Sequence, residues 1–354
     1  MDVLHKPFSP SVWHALLALL VGPLLLASSI GHTVQAQDAG AGAFARVGFG
    51  AHGMALGNAV SAAPGTQSAA FYNPALAPGI EAQNISLSAA LMTFDRDMQH
   101  ITFDAPLGPT AGLSTGVMRA GVSDIDGRDS DGRPTETLST DEYALFLAFG
   151  NQFWDRLAGG ATLKLYFADL VDDVGTVQTL AVDLGLIYTV QSGTHIGLSV
   201  SDLLAKYEWD TGGVGGRSAT DFFPVRVRVS ASHRLLDDRL RLLAEYESRF
   251  TDREQRVRLP REGSAQPSER FETRDFRLHE SMGRIGVSYA FVETFTVRGG
   301  IDRLGEDGIN GWQPSLGFGL SQSLGTLDVD VNYAAVVEPY VTDLMNVLSV
   351  RIYL

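Results

Sequence analysis

The chain of 354 residues is 45% hydrophobic and only 19% charged, has no cysteine and carries a net charge of −14. The missing thiols exclude disulfides, thiolate metal centres and a lipid-modified N-terminal cysteine. The acidic balance argues against nucleic acid as a partner, because phosphate-binding surfaces concentrate Lys and Arg. Its 38 glycines exceed the usual share of ~7% and tilt the expectation toward turn-rich β structure.

At the start, His5 and Lys6 precede an apolar stretch from Val12 to Leu26, interrupted by Pro23, and then small and polar residues ending at Ala36. The pattern predicts a secretory signal peptide over 1–36. The run is short for a ~20-residue helical span, and no later run reaches that length. An exported chain without membrane helices is either a soluble protein or a β-barrel.

Residues 37–80 are rich in Gly and Ala, nearly uncharged, and end in Phe71-Tyr72-Asn73-Pro74-Ala75-Leu76. The segment is too small for a core of its own. Its expected place is inside a barrel formed by 81–354, as a hatch filling the lumen.

From Asn84 onward, side chains alternate in polarity, as strands with two different faces require. About fourteen such segments are expected: 84–93, 100–105, 110–122, 141–153, 157–170, 179–190, 194–201, 225–233, 240–250, 276–289, 295–302, 312–321, 326–336 and 346–354. Tight links (106–109, 154–156, 191–193, 234–239, 290–294 and 322–325) alternate with longer polar ones, notably 123–140, 202–224 and 251–275. Short turns at one end and long loops at the other are the rhythm of a bacterial outer-membrane barrel with an even strand count. The parity places both ends of the wall on the periplasmic side. A soluble β-sandwich is the rival, and it would bury the apolar faces in a core. The opposite faces carry charges such as Arg226, Arg228, Arg241, Glu245, Glu247, Arg298, Asp328 and Asp330, and are expected to line the lumen. Phe149, Phe153, Trp154, Tyr188, Phe222, Phe223, Phe250, Tyr289 and Tyr353 lie near strand ends and suit interfacial girdles.

The run Arg46-Val-Gly-Phe-Gly-Ala-His-Gly-Met-Ala-Leu-Gly-Asn-Ala59, followed after a spacer by Ala70-Phe-Tyr-Asn-Pro-Ala-Leu-Ala77, resembles the N-terminal signature of the PorV/PorQ family within the FadL-like outer-membrane barrels. The resemblance implies a closed antiparallel transmembrane barrel of about 14 strands, with the hatch carrying Asn73, Pro74, Ala75 and the glycines Gly48, Gly50, Gly53 and Gly57. It also implies a part in type IX secretion or surface attachment of exported proteins, with secretion components or exported proteins as partners beside outer-membrane lipid. The alternative is a FadL-like channel taking up hydrophobic small molecules, with a hydrophobic ligand as partner.

Other motifs carry less. Gly48-Phe-Gly50-Ala-His-Gly53 matches G-x-G-x-x-G, but no acid follows at the required distance, so tight packing is the better account. Asp124, Asp126, Asp129 and Asp131 form a weak candidate for a divalent cation. They miss the EF-hand spacing, and a solvated outer loop explains them better. Trp209, Phe222 and Phe223, with Arg256, Arg258 and Arg261, are candidate partner-docking residues of the outer loops. The eight His form no metal or catalytic spacing, and no nucleophile elbow occurs, so neither a cofactor nor catalysis is expected.

Overall fold

The computed structural model describes residues 40–129, 131–169, 175–210, 218–259, 270–305, 311–338, 341 and 343–354, without the side chains of 218 and 253–276. The leader expected over 1–36 and Arg261 lie outside the described residues.

Sixteen strands follow the N-terminal segment: β1 (Asn84–Leu91), β2 (Arg96–Leu107), β3 (Ala111–Arg128), β4 (Pro134–Trp154), β5 (Leu157–Asp169), β6 (Val177–Gln191), β7 (Thr194–Leu203), β8 (Lys206–Asp210), β9 (Ser218–Phe222), β10 (Val225–Leu235), β11 (Leu240–Leu259), β12 (Arg270–Val292), β13 (Phe295–Leu304), β14 (Gln313–Leu324), β15 (Leu327–Val337) and β16 (Leu344–Tyr353). Fourteen close into an antiparallel barrel, β1 pairing with β16, while β8 and β9 form a separate hairpin. All fourteen expected wall segments are present.

Burial along the strands decides between membrane and soluble core. On β4, Ala144, Phe146 and Ala148 are at most 3% exposed, whereas the alternate Leu145, Leu147 and Phe149 are 42–48% exposed. Leu163 and Leu165 on β5, Leu184 and Leu186 on β6, and Leu316 and Leu320 on β14 repeat the outward apolar face. A soluble sandwich would hide this greasy exterior; a closed even-stranded barrel presents it to lipid, as bacterial outer-membrane barrels do. Phe153, Trp154, Tyr188 and Phe291 stay exposed near the tight turns and suit a girdle. Tyr353 does not belong to it, since its hydroxyl donates to Asp330 Oδ2 at 3.0 Å on the lumen side.

Two stretches expected as loops are strand. The β3–β4 ladder continues through Ile125↔Leu138 to Arg128↔Pro134, and β11–β12 through to Leu259↔Arg270. Their neighbours stop earlier, β2 at Val122 of β3 and β10 at Phe250 of β11. Both faces of the β3–β4 extension are largely exposed, so the polarity alternation that marks the wall is missing there. The hairpin β8–β9, within the 202–224 stretch expected as a long polar connection, keeps some alternation, with buried Tyr207 between exposed Lys206 and Glu208.

The N-terminal segment lies in the lumen as short pieces: a 3-10 turn Ala43–Arg46, helix α1 (Gly50–Met54), helix α2 (Ala69–Tyr72) and a 3-10 turn Pro74–Gly79. Phe49, Met54, Leu56 and Val60 are at most 1% exposed. The wall accepts the segment through glycines at inward positions. A Cβ at Gly150 of β4 or Gly160 of β5 would strike the Pro74 carbonyl, and one at Gly185 of β6 the Asn73 side chain. Gly112 on β3 faces Ala77, Gly197 on β7 faces Ser61, Gly286 on β12 faces Leu56, Gly300 on β13 faces Gly57, and Gly317 on β14 faces Ala55. Backbone thus packs on backbone around most of the circumference, which only glycine permits. Gly57 itself has φ 60 and sits against the Ile301 backbone, so any side chain there meets both strain and a clash.

Candidate functional site

The hatch residues singled out by sequence converge. Asn73 is fully buried; its Nδ2 donates to Ser61 O at 2.8 Å and to Leu186 O of β6 at 3.4 Å, and its Oδ1 accepts the Ala75 N–H at 3.1 Å, capping the turn that begins at Pro74. Tyr72 Oη accepts the Phe49 N–H at 2.8 Å and donates toward Asn58 Oδ1 at 2.9 Å, while Gly53 leaves room for its ring. Gly48, with φ 137, lies against Asn58, and Gly50, with φ 77, faces Ser88 and Ser349. Asn73→Ala is expected to weaken docking of 69–80 by about 1–3 kcal/mol, because it strands two carbonyls and an N–H. Hydrogen exchange of those amides against the wild type measures it.

A belt of buried charge encircles half of the lumen beside the segment. Lys164 Nζ is 2.6 Å from Asp183 and 3.3 Å from Asp202; Arg226 Nη2 is 2.6 Å from Asp202, which also accepts the Tyr166 hydroxyl at 2.9 Å. Arg284 Nη1 reaches Glu245 at 2.7 Å and Glu247 at 2.9 Å, and its Nε reaches Asp302 at 2.6 Å. Arg249 bonds Glu247 at 2.5 Å. With Arg228, whose Nε lies 3.9 Å from Glu247, five cations stand against five carboxylates. The segment plugs into this belt: Asn58 Nδ2 donates to Asp302 at 3.0 Å, Ser61 N to Glu245 at 3.3 Å, and Arg228 Nη2 to Tyr72 O at 2.8 Å. Arg226, Arg228, Glu245 and Arg298 point inward as their parity requires. Arg241 departs from the expected pairing with Glu245 and Glu247. It donates to Pro64 O at 2.9 Å, and Arg284 takes both carboxylates. Four residues along a strand span ~13 Å, too far for a bridge, whereas Arg284 lies directly across from Glu245 on β12.

Two cavities lie on opposite sides of the segment. At the end with the long connections, about 180 Å³ opens between Phe44, Arg46 and Val47 of the segment and Met92, Arg96, Met98, Ala120, Val122, Thr140 and Glu142 of β1–β4 and their turn, with Arg303 at the margin. Arg96 is engaged with Glu338 at 2.5 Å. At the other end, about 140 Å³ lies between Pro64, Leu76 and Pro78 and the turns of β4–β7.

The wall changes at β7. Val182 pairs with Leu203 but Leu184 with Val200, so Ser201 and Asp202 bulge, with Asp202 at φ 61 and Leu204 at φ 71. The Asp183 carboxylate accepts the Asp202 N–H at 2.8 Å and holds the bulge. Among the described residues, 177–181 of β6 have no strand partner on that side; β8 stands there, joined by the Lys206 N–H donating to Thr179 Oγ1 at 3.2 Å. An open groove of about 500 Å³ runs along this seam, with Leu180 and Leu204 exposed on it. Behind it, Tyr207 and Tyr166 pack on Phe223 with centroids 4.9 and 4.8 Å apart, and Tyr166 meets Phe44 of the outer cavity at 6.1 Å.

Among the described side chains, Trp209, Phe222 and Phe223 do not form one exposed surface. Phe223 is 3% exposed and covers Gly42; Phe222 is half-buried. Trp209 packs edge-on to Tyr207 and its Nε1 donates to Asp221 at 2.8 Å. Phe223 is therefore an interior wedge rather than a free anchor, a placement set by the fold-back of the β8–β9 hairpin. Arg256 and Arg258 stand on β11 opposite Thr273 and Phe271. Asp124, Asp126, Asp129 and Asp131 sit at the end of β3 and its turn, where Asp129 Oδ1 accepts the N–H of Asp131 at 3.0 Å and of Arg133 at 2.9 Å. Among the described residues, no three metal-ligating side chains come together.

Similarity searches agree on architecture. The chain superposes on the Pseudomonas putida toluene transporter TodX with a TM-score of 0.55 at 14% identity, covering 86% of this chain and 96% of that one. The two share a fold. A Pseudomonas aeruginosa FadL homologue gives a TM-score of 0.55 at 13% identity over 86% of this chain and 98% of that one. The monoaromatic hydrocarbon channel CymD gives 0.54 at 14% over 86% and 97%. No protein-family model matches the chain, and no curated protein does. The closed fourteen-stranded barrel with its lipid-facing belt is that of a bacterial outer-membrane protein. Membership of the PorV/PorQ subfamily has no support from these matches.

Proposed function

We propose that the protein is an outer-membrane channel for uptake of small hydrophobic molecules. The observation that carries the reading is the outer cavity above a seated lumen segment, joined by a line of aromatic rings to a wall seam that lacks backbone pairing. A hydrophobe captured between the segment and β1–β4 would avoid the charged belt, whose ion pairs oppose a greasy axial path. It would pass Phe44, Tyr166, Phe223 and Tyr207 and leave through the seam between β6 and β8. The three neighbours above are two named hydrocarbon transporters or channels and a FadL homologue, which favours this reading. A secretion role draws less support, since Phe223 is buried and none of the three is named as a secretion component.

The cysteine-free chain allows a clean test. Thr179→Cys with Lys206→Cys, oxidised, is expected to stop uptake of labelled toluene by vesicles holding the barrel, and reduction to restore it. Uptake that persists with the seam locked would overturn the lateral route; no uptake above empty vesicles by the wild type would overturn the channel itself.

A further inference from the structure

The outer cavity is not uniformly apolar. Phe44, Val47, Met92 and Met98 supply its greasy lining, but Glu142 also lines it, on the inward-facing parity of β4 shared with Ala144 and Phe146. Among the described residues, Glu142 has no hydrogen bond or ion pair, and it is not one of those with a further partner. Arg46 is close enough for its charge to act on Glu142, while its guanidinium donates to the Ala41 carbonyl at 2.8 Å and the Gly40 carbonyl at 3.4 Å.

An apolar cavity of similar size, about 150 Å³, is known to stay dry and accept benzene, so the volume suits one ring. What distinguishes this one is a carboxyl group with unused acceptor capacity. A pure hydrocarbon filling the cavity would strip water from Glu142 and return nothing, and buried polar groups left unpaired discriminate strongly against such ligands. A free anion would meet Glu142 and Asp97, and a free cation would meet Arg46, Arg96 and Arg303. The ligand that satisfies all three conditions is uncharged, monocyclic and carries one hydrogen-bond donor.

Resting on the uptake reading above, we propose that the outer cavity selects small hydroxylated aromatics, phenols in chemical class, over the parent hydrocarbons, with the phenolic O–H donating to the Glu142 carboxyl. The probes are p-cresol and toluene, which differ by one hydroxyl. Their binding to the detergent-solubilised barrel is measured by calorimetry, with partition into empty micelles subtracted and folding verified by heat-modifiable gel mobility. The wild type should bind p-cresol about tenfold or more tightly than toluene, the effect of one charge-assisted hydrogen bond. Glu142→Leu should erase or invert that preference while still binding toluene, and Glu142→Gln, which keeps an acceptor, should retain part of it. Equal affinities in the wild type, or an unchanged preference in Glu142→Leu, would overturn the selectivity and leave the uptake reading standing. Failure of both probes to bind would overturn both.

Discussion

Arg284→Ala is expected to cost about 3–5 kcal/mol, the toll of removing one partner from a buried ionic cluster. Arg284 is 4% exposed and is the shared partner of Glu245, Glu247 and Asp302. Without it three carboxylates face one another, two of them also holding the N-terminal segment through Ser61 and Asn58. The loss should appear as a lower urea midpoint for the barrel in vesicles and as earlier loss of the fast-migrating unboiled band. Arg284→Lys should fall in between, because a single ammonium cannot reproduce a fork directed at three acceptors. An alanine variant within about 1 kcal/mol of the wild type, well below that range, would mean the belt is not what holds this side of the lumen together.

Gly300→Val is expected to leave the wall closed and unseat the N-terminal segment. The fourteen wall strands pair with one another in a complete ring that needs no hydrogen bond from the segment. A side chain at Gly300 would collide with the Gly57 backbone, which has no rotamer with which to give way. Gly299 provides the control, since it points outward and an added Cβ there meets only Ser315 O at 3.8 Å. In planar bilayers, Gly300→Val should raise single-channel conductance while Gly299→Val matches the wild type. Equal conductance in both would show that the segment does not block the lumen.

Much of this architecture was legible because lipid and lumen impose opposite demands on neighbouring residues. Leu145, Leu147 and Phe149 alternating with Ala144, Phe146 and Ala148 could be sorted by parity alone, as could the inward Arg226, Arg228 and Glu245. The rule fails where both faces meet water, and so the outer part of β3–β4 reads as a loop, while the charge-rich sequence of outer β11–β12 shows no alternation to read. The glycine seats left a signal that sequence reasoning passed over: Gly150, Gly160, Gly185 and Gly300 all occupy inward positions of strands, where a side chain would ordinarily fill space. Glu142 shared its inward parity with Ala144 and Phe146, but nothing in the sequence told a cavity from a packed wall.

The sequence by itself determined a cysteine-free β chain, its fourteen wall segments, the face each turns to lipid and an N-terminal piece too small to form a core of its own. These follow from local chemistry, since hydrocarbon tolerates no charge and a strand presents a new face at every residue. Only the tertiary structure decided which charges meet, that Phe223 turns inward, that β7 bulges at Asp202 to leave a seam, and that Glu142 faces a cavity. Each of those depends on strand register and on how residues far apart in the chain are brought together, and register is a property of pairs that no single strand contains.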